Sequence, residues 1–395
     1  MRALRFSWRS LVRQPARATL GVLGVAAVGA LLFDMLMLSD GLIVSMRDLL
    51  DRTGFDIRVT ASGDLRRAGD RMRDTGATLA AIRRLPQVGS ALALRFVEAE
   101  ADAPAGEAVP TVALTVEGVQ GDVRPWTVLT GRDPSGDREV VVSQALATAM
   151  RVSAGSELVV RARCDSRDQV LPPARLQVVG VAEFPFELVG DPTAGGTMDV
   201  LDTACASRSD EADVILASAL DEVDATAAAI RAAQPRVNVA TNEQVIGRLQ
   251  RNGFTYFRQI SSVLTAVTLA FALLLITVLL TVSVNQRLGE IAALRALGFS
   301  RRRVVADVLC ESMLIVGLGG LISLPLGAML ARGLDGILKT MPGIPGQMYF
   351  FVLEPSTLAL HAALLTLTAV AAALYPMQIV ARLPIAATLR NEVLS

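Results

Sequence analysis

The chain has 395 residues, with 38 Lys+Arg against 38 Asp+Glu and a formal charge of zero. Hydrophobic residues make up 52%, aromatics 4% and charged residues 19%. That apolar excess argues against an ordinary soluble protein and against a basic nucleic-acid binder, and it points to the membrane class. Lys339 is the only lysine and follows Leu338, so no Gly-Lys-Ser/Thr exists from which to build a Walker A loop. His361 is the only histidine, which excludes a zinc site with two or more histidines and leaves one position for a Ser/His/Asp triad. Cys164, Cys205 and Cys310 lie far apart without a CxxC, indicating neither a metal ribbon nor a disulfide scaffold.

In chain order, residues 1–17 carry Leu4, Trp8, Leu11 and Val12 at i, i+4, i+7 and i+8, with Arg2, Arg5, Arg9 and Arg13 between them. This spacing predicts an amphipathic helix on the cytoplasmic membrane surface, and Pro15 favours a bend over a straight run into the next element. Ala18 to Leu38 is an apolar run broken only by Asp34. It reads as a first transmembrane helix (18–38). It is too long for a signal-peptide core, and no convincing cleavage site follows in Leu38-Ser39-Asp40-Gly41.

Residues 39–259 change to short alternating segments. Strands are predicted at Ile57 to Val59, Ala91 to Val97, Thr111 to Val119, Glu139 to Val142, Glu157 to Arg161 and Leu176 to Val181. Asp213 to Ala217, Asp221 to Ala233 and Arg236 to Ala240 read as a βαβ-like unit with Asp221 as the helix cap. Asp165 to Pro173 and Asp191 to Gly196 read as loops. The segment has no histidine or lysine, and its acids are scattered, as on a solvated face. Cys164 and Cys205 are either free or joined in an oxidising exterior. A binding or coupling domain is expected.

Three further runs, Ile260 to Val284, Ser312 to Ala331 and Pro355 to Ala381, carry no formal charge. Each reaches or exceeds the length of ~20 residues that crosses a ~30 Å hydrocarbon core. They place transmembrane helices at 260–284, 304–331 and 355–381, joined by a 285–303 connection and a 332–354 loop, with a tail at 382–395. Arg2, Arg5, Arg9, Arg13 and Arg17 before the first helix, and Arg287, Arg295, Arg301, Arg302 and Arg303 against Glu290 in the 285–303 connection, assign both to the cytoplasm. Residues 39–259 then lie outside with a charge of −7, the remainder carrying +7. The expected fold is an α-helical membrane protein with four transmembrane helices plus a large α+β extracytoplasmic domain between the first and second. Both termini are expected in the cytoplasm.

The 285–303 connection is too polar for the bilayer and too well patterned for a linker. Leu288, Ile291, Leu294 and the Ala292/Ala293 pair predict a short helix, Gly298 its end and Ser300 the cap of the next helix. Here the chain resembles permease subunits with the FtsX-like domain, of the MacB and lipoprotein-release type of ABC transporter. The resemblance rests on Glu290-Ile-Ala-Ala-Leu-Arg295-Ala-Leu-Gly298, on Leu309-Cys-Glu311-Ser-Met-Leu-Ile-Val-Gly317-Leu-Gly319-Gly320, and on Ala381-Arg382-Leu-Pro384-Ile-Ala-Ala-Thr-Leu389-Arg390. Where the family commonly reads Tyr-Pro-Ala-Trp-Arg, this chain has Tyr375-Pro376-Met377-Gln378-Ile379. The resemblance implies a coupling helix that docks on an ATPase, with Glu290, Ile291, Leu294, Arg295 and Gly298 at the contact. It also implies a second permease chain, identical or homologous, and a periplasmic adaptor as a further candidate partner. Because the stretch ahead of the first transmembrane run is so short, the ATPase is expected on a separate chain, which would bind the ATP; no cofactor or catalytic residue is assigned here.

Two features inside the transmembrane runs stand apart. Gly319, Ser323 and Gly327 are spaced four apart, a small-residue stripe suited to close packing within the chain or between subunits. Asp34 and His361 lie at similar depth, ~6 to 9 Å below the outer boundary at ~1.5 Å per residue. They are expected either to face the protein interior and hydrogen-bond, or to reach toward outer water. The functional expectation is a non-catalytic permease moving a lipoprotein, lipid, or amphipathic peptide or drug. An FtsX-like regulator of an external cell-wall hydrolase and a receptor lacking any ATPase are the competing readings.

Overall fold

The computed structural model describes residues 15–62, 71–102, 111–164, 171–253, 255–286, 288–289, 291–292, 297 and 300–382. The amphipathic stretch before residue 15 and the tail after residue 382 lie outside them. Two compact units result: residues 1–43, 254–336 and 349–395 in one, residues 44–253 and 337–348 in the other.

The chain begins with α1 (Pro15–Arg52), followed by β1 (Ile57–Thr60), β2 (Met72–Arg73), α2 (Thr75–Arg83), β3 (Val88–Asp102), β4 (Val112–Gln120), β5 (Thr127–Gly131), β6 (Glu139–Ser143) and α3 (Gln144–Met150). Next come β7 (Glu157–Arg163), β8 (Ala174–Glu183), β9 (Thr193–Thr197), α4 (Met198–Ala204), β10 (Glu211–Ala212), β11 (Val214–Ala219), α5 (Val223–Ala233), β12 (Asn238–Thr241) and α6 (Asn242–Arg248). After a π-turn come α7 (Thr255–Asn285), α8 (Arg301–Leu338) and α9 (Pro355–Arg382).

Four helices, α1, α7, α8 and α9, are long and apolar enough to cross a membrane. α1 does not stop at residue 38 as the apolar run predicts. It continues to Arg52 through Gly41, with Leu42, Ile43, Val44, Met46, Leu49 and Leu50 sustaining the helix until Thr53-Gly54. α8 likewise starts at Arg301 and ends at Leu338, with Pro325 inside it. At 1.5 Å per residue, these two 38-residue helices are ~57 Å long, almost twice a hydrocarbon core.

The small-residue stripe on α8 packs within the chain, against α1. A Cβ at Gly319 would sit 2.7 Å from Val25 Cβ and 3.0 Å from the Val22 carbonyl oxygen, and one at Gly327 would sit 2.9 Å from Phe33 Cδ1 and 3.1 Å from the Ala30 oxygen. From the other side, a Cβ at Gly29 would meet Ser323 Cβ at 2.9 Å. The two backbones approach to a distance that only missing side chains allow. Val25, Leu32, Ile276, Leu280, Ile315, Val316, Leu365 and Ala369 are among the buried residues that complete this core.

The other unit is built on β3. Its first half pairs with β11, and the order β12-β1-β11-β3 forms an open sheet. Its second half pairs with β4 on one edge and β7 on the other, and β3-β4-β9-β6-β8-β7 closes into a six-stranded ring. One face of the open sheet packs on α2 and α5 through Ile57, Val59, Ile82, Ala93, Ile215 and Ile230. The ring interior is filled by Val97, Val116, Val142, Leu158 and Leu176, plugged by Leu146 and Met150 of α3 and Leu201 of α4. A Cys164–Cys205 disulfide ties the end of β7 to the C-terminus of α4.

Two local expectations fail. The helix α5 is capped at Glu222, with no side-chain cap bond, instead of at Asp221. The βαβ unit is split, since β11 and β12 both pair antiparallel with β1 between them. More consequentially, the Asp191 to Gly196 stretch is not a loop. It feeds β9, between β4 and β6 in the ring. Its glycines serve packing, because a Cβ at Gly195 would lie 2.7 Å from the Trp126 ring and 2.8 Å from that of Phe184.

Those aromatics, 5.4 Å apart, cover a second apolar layer, formed by Phe55, Leu92, Leu94, Val119, Val141, Val179 and Leu216. Glu117, in register with Phe96 and Gly195, is buried in this neighbourhood, and burial pushes its carboxyl up to about 8.

Gly319→Val should lower the unfolding midpoint in detergent by several degrees, whereas Gly333→Val, where a Cβ meets nothing within 4 Å, should leave it unchanged. Removing the disulfide with Cys164→Ser and Cys205→Ser should lower the midpoint by roughly 4–16 °C, from ~2–4 kcal/mol of lost stabilisation. Glu117 holds its proton more tightly folded than unfolded, so its contribution is complete below about 4.5 and lost as pH rises through about 8. At ~1.4 kcal/mol per unit, the midpoint of the native protein should fall between pH 5 and 9 relative to Glu117→Gln.

Candidate functional site

The connection between α7 and α8 is helical at Leu288, Ile291 and Ala292. Ile291 is buried together with Val284 of α7, with Leu288 and Ile379 of α9 packed around them. Ile291 thus anchors the segment to α7 and α9. Glu290, Leu294, Arg295 and Gly298 lie outside the described residues. Leu297 is 78% exposed, a large apolar side chain left open beside the anchored turn. Ser283 of α7 donates to Glu311 of α8 at 3.0 Å, a polar clasp joining the two helices that flank the connection.

Asp34 and His361 are both buried, at 1% and 2% exposure, so neither reaches toward outer water. His361 does not bond to Asp34. Its Nε2 lies 3.0 Å from Ser323 Oγ, and its ring packs against Phe33 at 5.1 Å. Among the described residues, both Asp34 carboxyl oxygens and His361 Nδ1 lack a hydrogen-bond partner. Ser323 thus serves twice, as a small residue facing Gly29 and as the partner of the histidine.

In the external unit the acids are not all solvated. Arg95, on β3 at the step between the open sheet and the ring, is 2% exposed and donates to Ser209 Oγ. Burial, then the Arg71 charge, lowers its pKa against the opposing pull of Glu211, Asp213 and Asp202. Arg71 lies 3.6 Å from Asp213 and 4.0 Å from Glu211, and donates to the Cys164 carbonyl at 3.3 Å. Arg95 Nε has no hydrogen-bond partner among the described residues, and the network serves as the polar seam where β3 passes between two cores.

Arg58 is different. On β1 it shares the sheet face of Leu216, its cross-strand partner, and its guanidinium lies 5.2 Å from the Phe186 ring centroid. Burial pushes it down to about 10. The turn that carries Phe186 is held by residues 343–347. Val189 N–H donates to the Ile344 oxygen at 2.8 Å, Gly343 N–H to the Val189 oxygen at 2.8 Å and Gly346 N–H to the Glu187 oxygen at 3.2 Å. Gln347 Nε2 donates to Glu183 at 2.6 Å. The segment joining α8 to α9 is thereby a strap over the β8–β9 turn. Among the described residues, no cluster of three or more His, Cys, Asp or Glu is placed to hold a metal ion.

The same division appears in comparisons with known proteins. Residues 18–256 match the MacB-like periplasmic core domain, and residues 262–385 match the FtsX-like permease C-terminal domain. Among solved structures, the chain is similar to the extracellular domain of the noncanonic ABC-type transporter YknZ from Gram-positive bacteria (15% identity, 47% of this chain and 98% of that one, TM-score 0.34). It is also similar to the periplasmic region of MacB from Actinobacillus actinomycetemcomitans (11% identity, 52% and 98%, TM-score 0.38). Curated proteins give no match. With four membrane-crossing helices, an α+β unit between the first and second in the chain, and family domains that together run from residue 18 to residue 385, the chain belongs to the MacB/FtsX family of ABC-type permeases.

Proposed function

We propose that this chain is a permease subunit that takes up movement from a separate ATPase through the connection between α7 and α8 and passes it to the external unit, acting there on a lipoprotein, lipid, or amphipathic peptide or drug. The observation that carries this reading is the continuity of the helices. α1 and α8 run as single 38-residue helices, longer than a bilayer core requires, and α8 adjoins the connection at one end and the strap at the other. A stiff helix transmits displacement where a loop would absorb it. The Ser283–Glu311 clasp and the Ile291 anchor support the same reading, since they tie the connection to the helices that would have to move with it. Leu297, Glu290 and Arg295 are the contacts proposed for the ATPase, with Leu297 as the apolar anchor.

Orientation follows from arginine placement, with the connection and both termini in the cytoplasm and residues 44–253 outside. The Cys164–Cys205 disulfide supports that assignment, because such bonds persist in oxidising compartments. Assembly with a second permease chain and with an adaptor belongs to the same proposal. The lone lysine leaves the hydrolysis of ATP to the partner.

Purification of the full chain in mild detergent should recover a nucleotide-binding subunit. Leu297→Asp, Glu290→Arg and Arg295→Glu should each reduce that recovery at least tenfold without changing the yield of the chain itself. Recovery of a cell-wall hydrolase in place of an amphipathic cargo would move the assignment to a regulator. Recovery with no ATP-binding chain would overturn the coupling.

A further inference from the structure

Arg58 stands out among the charged side chains of the external unit. Its Nε and Nη2 reach essentially no solvent, and among the described residues they have no hydrogen-bond partner and no carboxylate pairs with the group. These two nitrogens lie on the same edge of the guanidinium, the edge that forms the side-on fork for a carboxylate or phosphate. A guanidinium shielded along that edge without an anion costs stability, and an apolar side chain at this strand position would avoid that cost. What covers the group is a ring: Phe186 lies 5.2 Å away, on a turn whose Phe184 packs with Trp126 over the apolar outer layer.

We propose that Arg58 is an oxyanion-recognition site for the anionic headgroup of an amphipathic molecule, closed by Phe186 and opened when the strap moves the turn that carries it. The apolar layer beside the fork favours an amphiphile over a free ion, since one end of such a molecule has an oxyanion and the other matches Phe184, Phe186 and Trp126. The strap makes the opening controllable. Residues 343–347 bond to Glu183, Glu187 and Val189 on both sides of the turn, and the strap is continuous in the chain with α8 and leads into α9. Displacement of those helices would act on the strap and, through it, on Phe186. This rests on the permease reading given above and names the chemistry that such a permease would recognise.

The test is a binding titration of the full chain in non-ionic detergent, without ATP or any partner. The probes are a short-chain phosphatidylglycerol, its phosphatidylcholine counterpart and inorganic phosphate. The anionic lipid should bind at least tenfold more tightly than either other probe. Arg58→Met should lower that affinity at least tenfold while raising the unfolding midpoint, because an idle buried charge is replaced by an apolar chain. Phe186→Ala should tighten binding severalfold, and this variant keeps the test decisive if changes at Arg58 impair folding. Unchanged binding by Arg58→Met, or tightening absent in Phe186→Ala, would overturn the site or its lid. Phosphate binding as tight as the lipid would overturn the amphiphile assignment. Because no ATPase is present, a negative result here leaves the coupling reading standing, and failure to recover an ATPase leaves this assay interpretable.

Discussion

A hydrocarbon layer offers no partners to peptide groups, so every backbone amide and carbonyl that crosses it must be satisfied within its own segment. In this chain that constraint produces four long helices, and the rest of the molecule inherits their consequences. Helices without a hydrophobic driving force between them need another reason to associate, and α1 and α8 find it in close backbone approach. Gly29, Gly319, Ser323 and Gly327 remove the side chains that would hold the two apart. Past the end of α8 the same chain becomes the strap of the external unit.

Outside the bilayer, backbone satisfaction is achieved by a single long strand. β3 spends its first half in an open sheet and its second in a closed ring, so one ladder joins two separately packed cores. At the changeover an apolar residue would face neither core well, and Arg95 occupies the position within a seam of charges. Acidic side chains lie close to the arginines there. Glu117 and Arg58, on the outer face, are not matched in the same way, and a domain that buries two such groups trades stability for something else. Recognition of a ligand is what Arg58 can supply in exchange.

Much of the architecture was legible from residue pattern. Uncharged runs marked the transmembrane helices, and alternation at Ile57, Ala91, Glu139, Glu157 and Leu176 marked strands that exist. The reading failed where a residue's role depends on what lies across from it. Gly195 and Gly196 look like a loop until Trp126, Phe184 and Val200 are seen filling the space beside them. Ile291 belongs to a polar connection in the sequence, yet packs with Val284 and Ile379 in the fold. Depth alone leaves His361 free to face inward or toward outer water, whereas helix rotation turns it to Ser323.

By itself, then, the sequence determined the number of membrane helices and the order of domains, because these depend on composition summed along the chain and on the bilayer, which acts on every residue alike. The tertiary structure decided which charges are paired, which apolar faces remain open and which segments touch across long separations. Residues 343–347 meet the turn between β8 and β9, far earlier in the chain, and the Phe186 of that turn meets Arg58 on the first strand. No local pattern encodes such meetings, since they arise only when each element has found the neighbours that bury it.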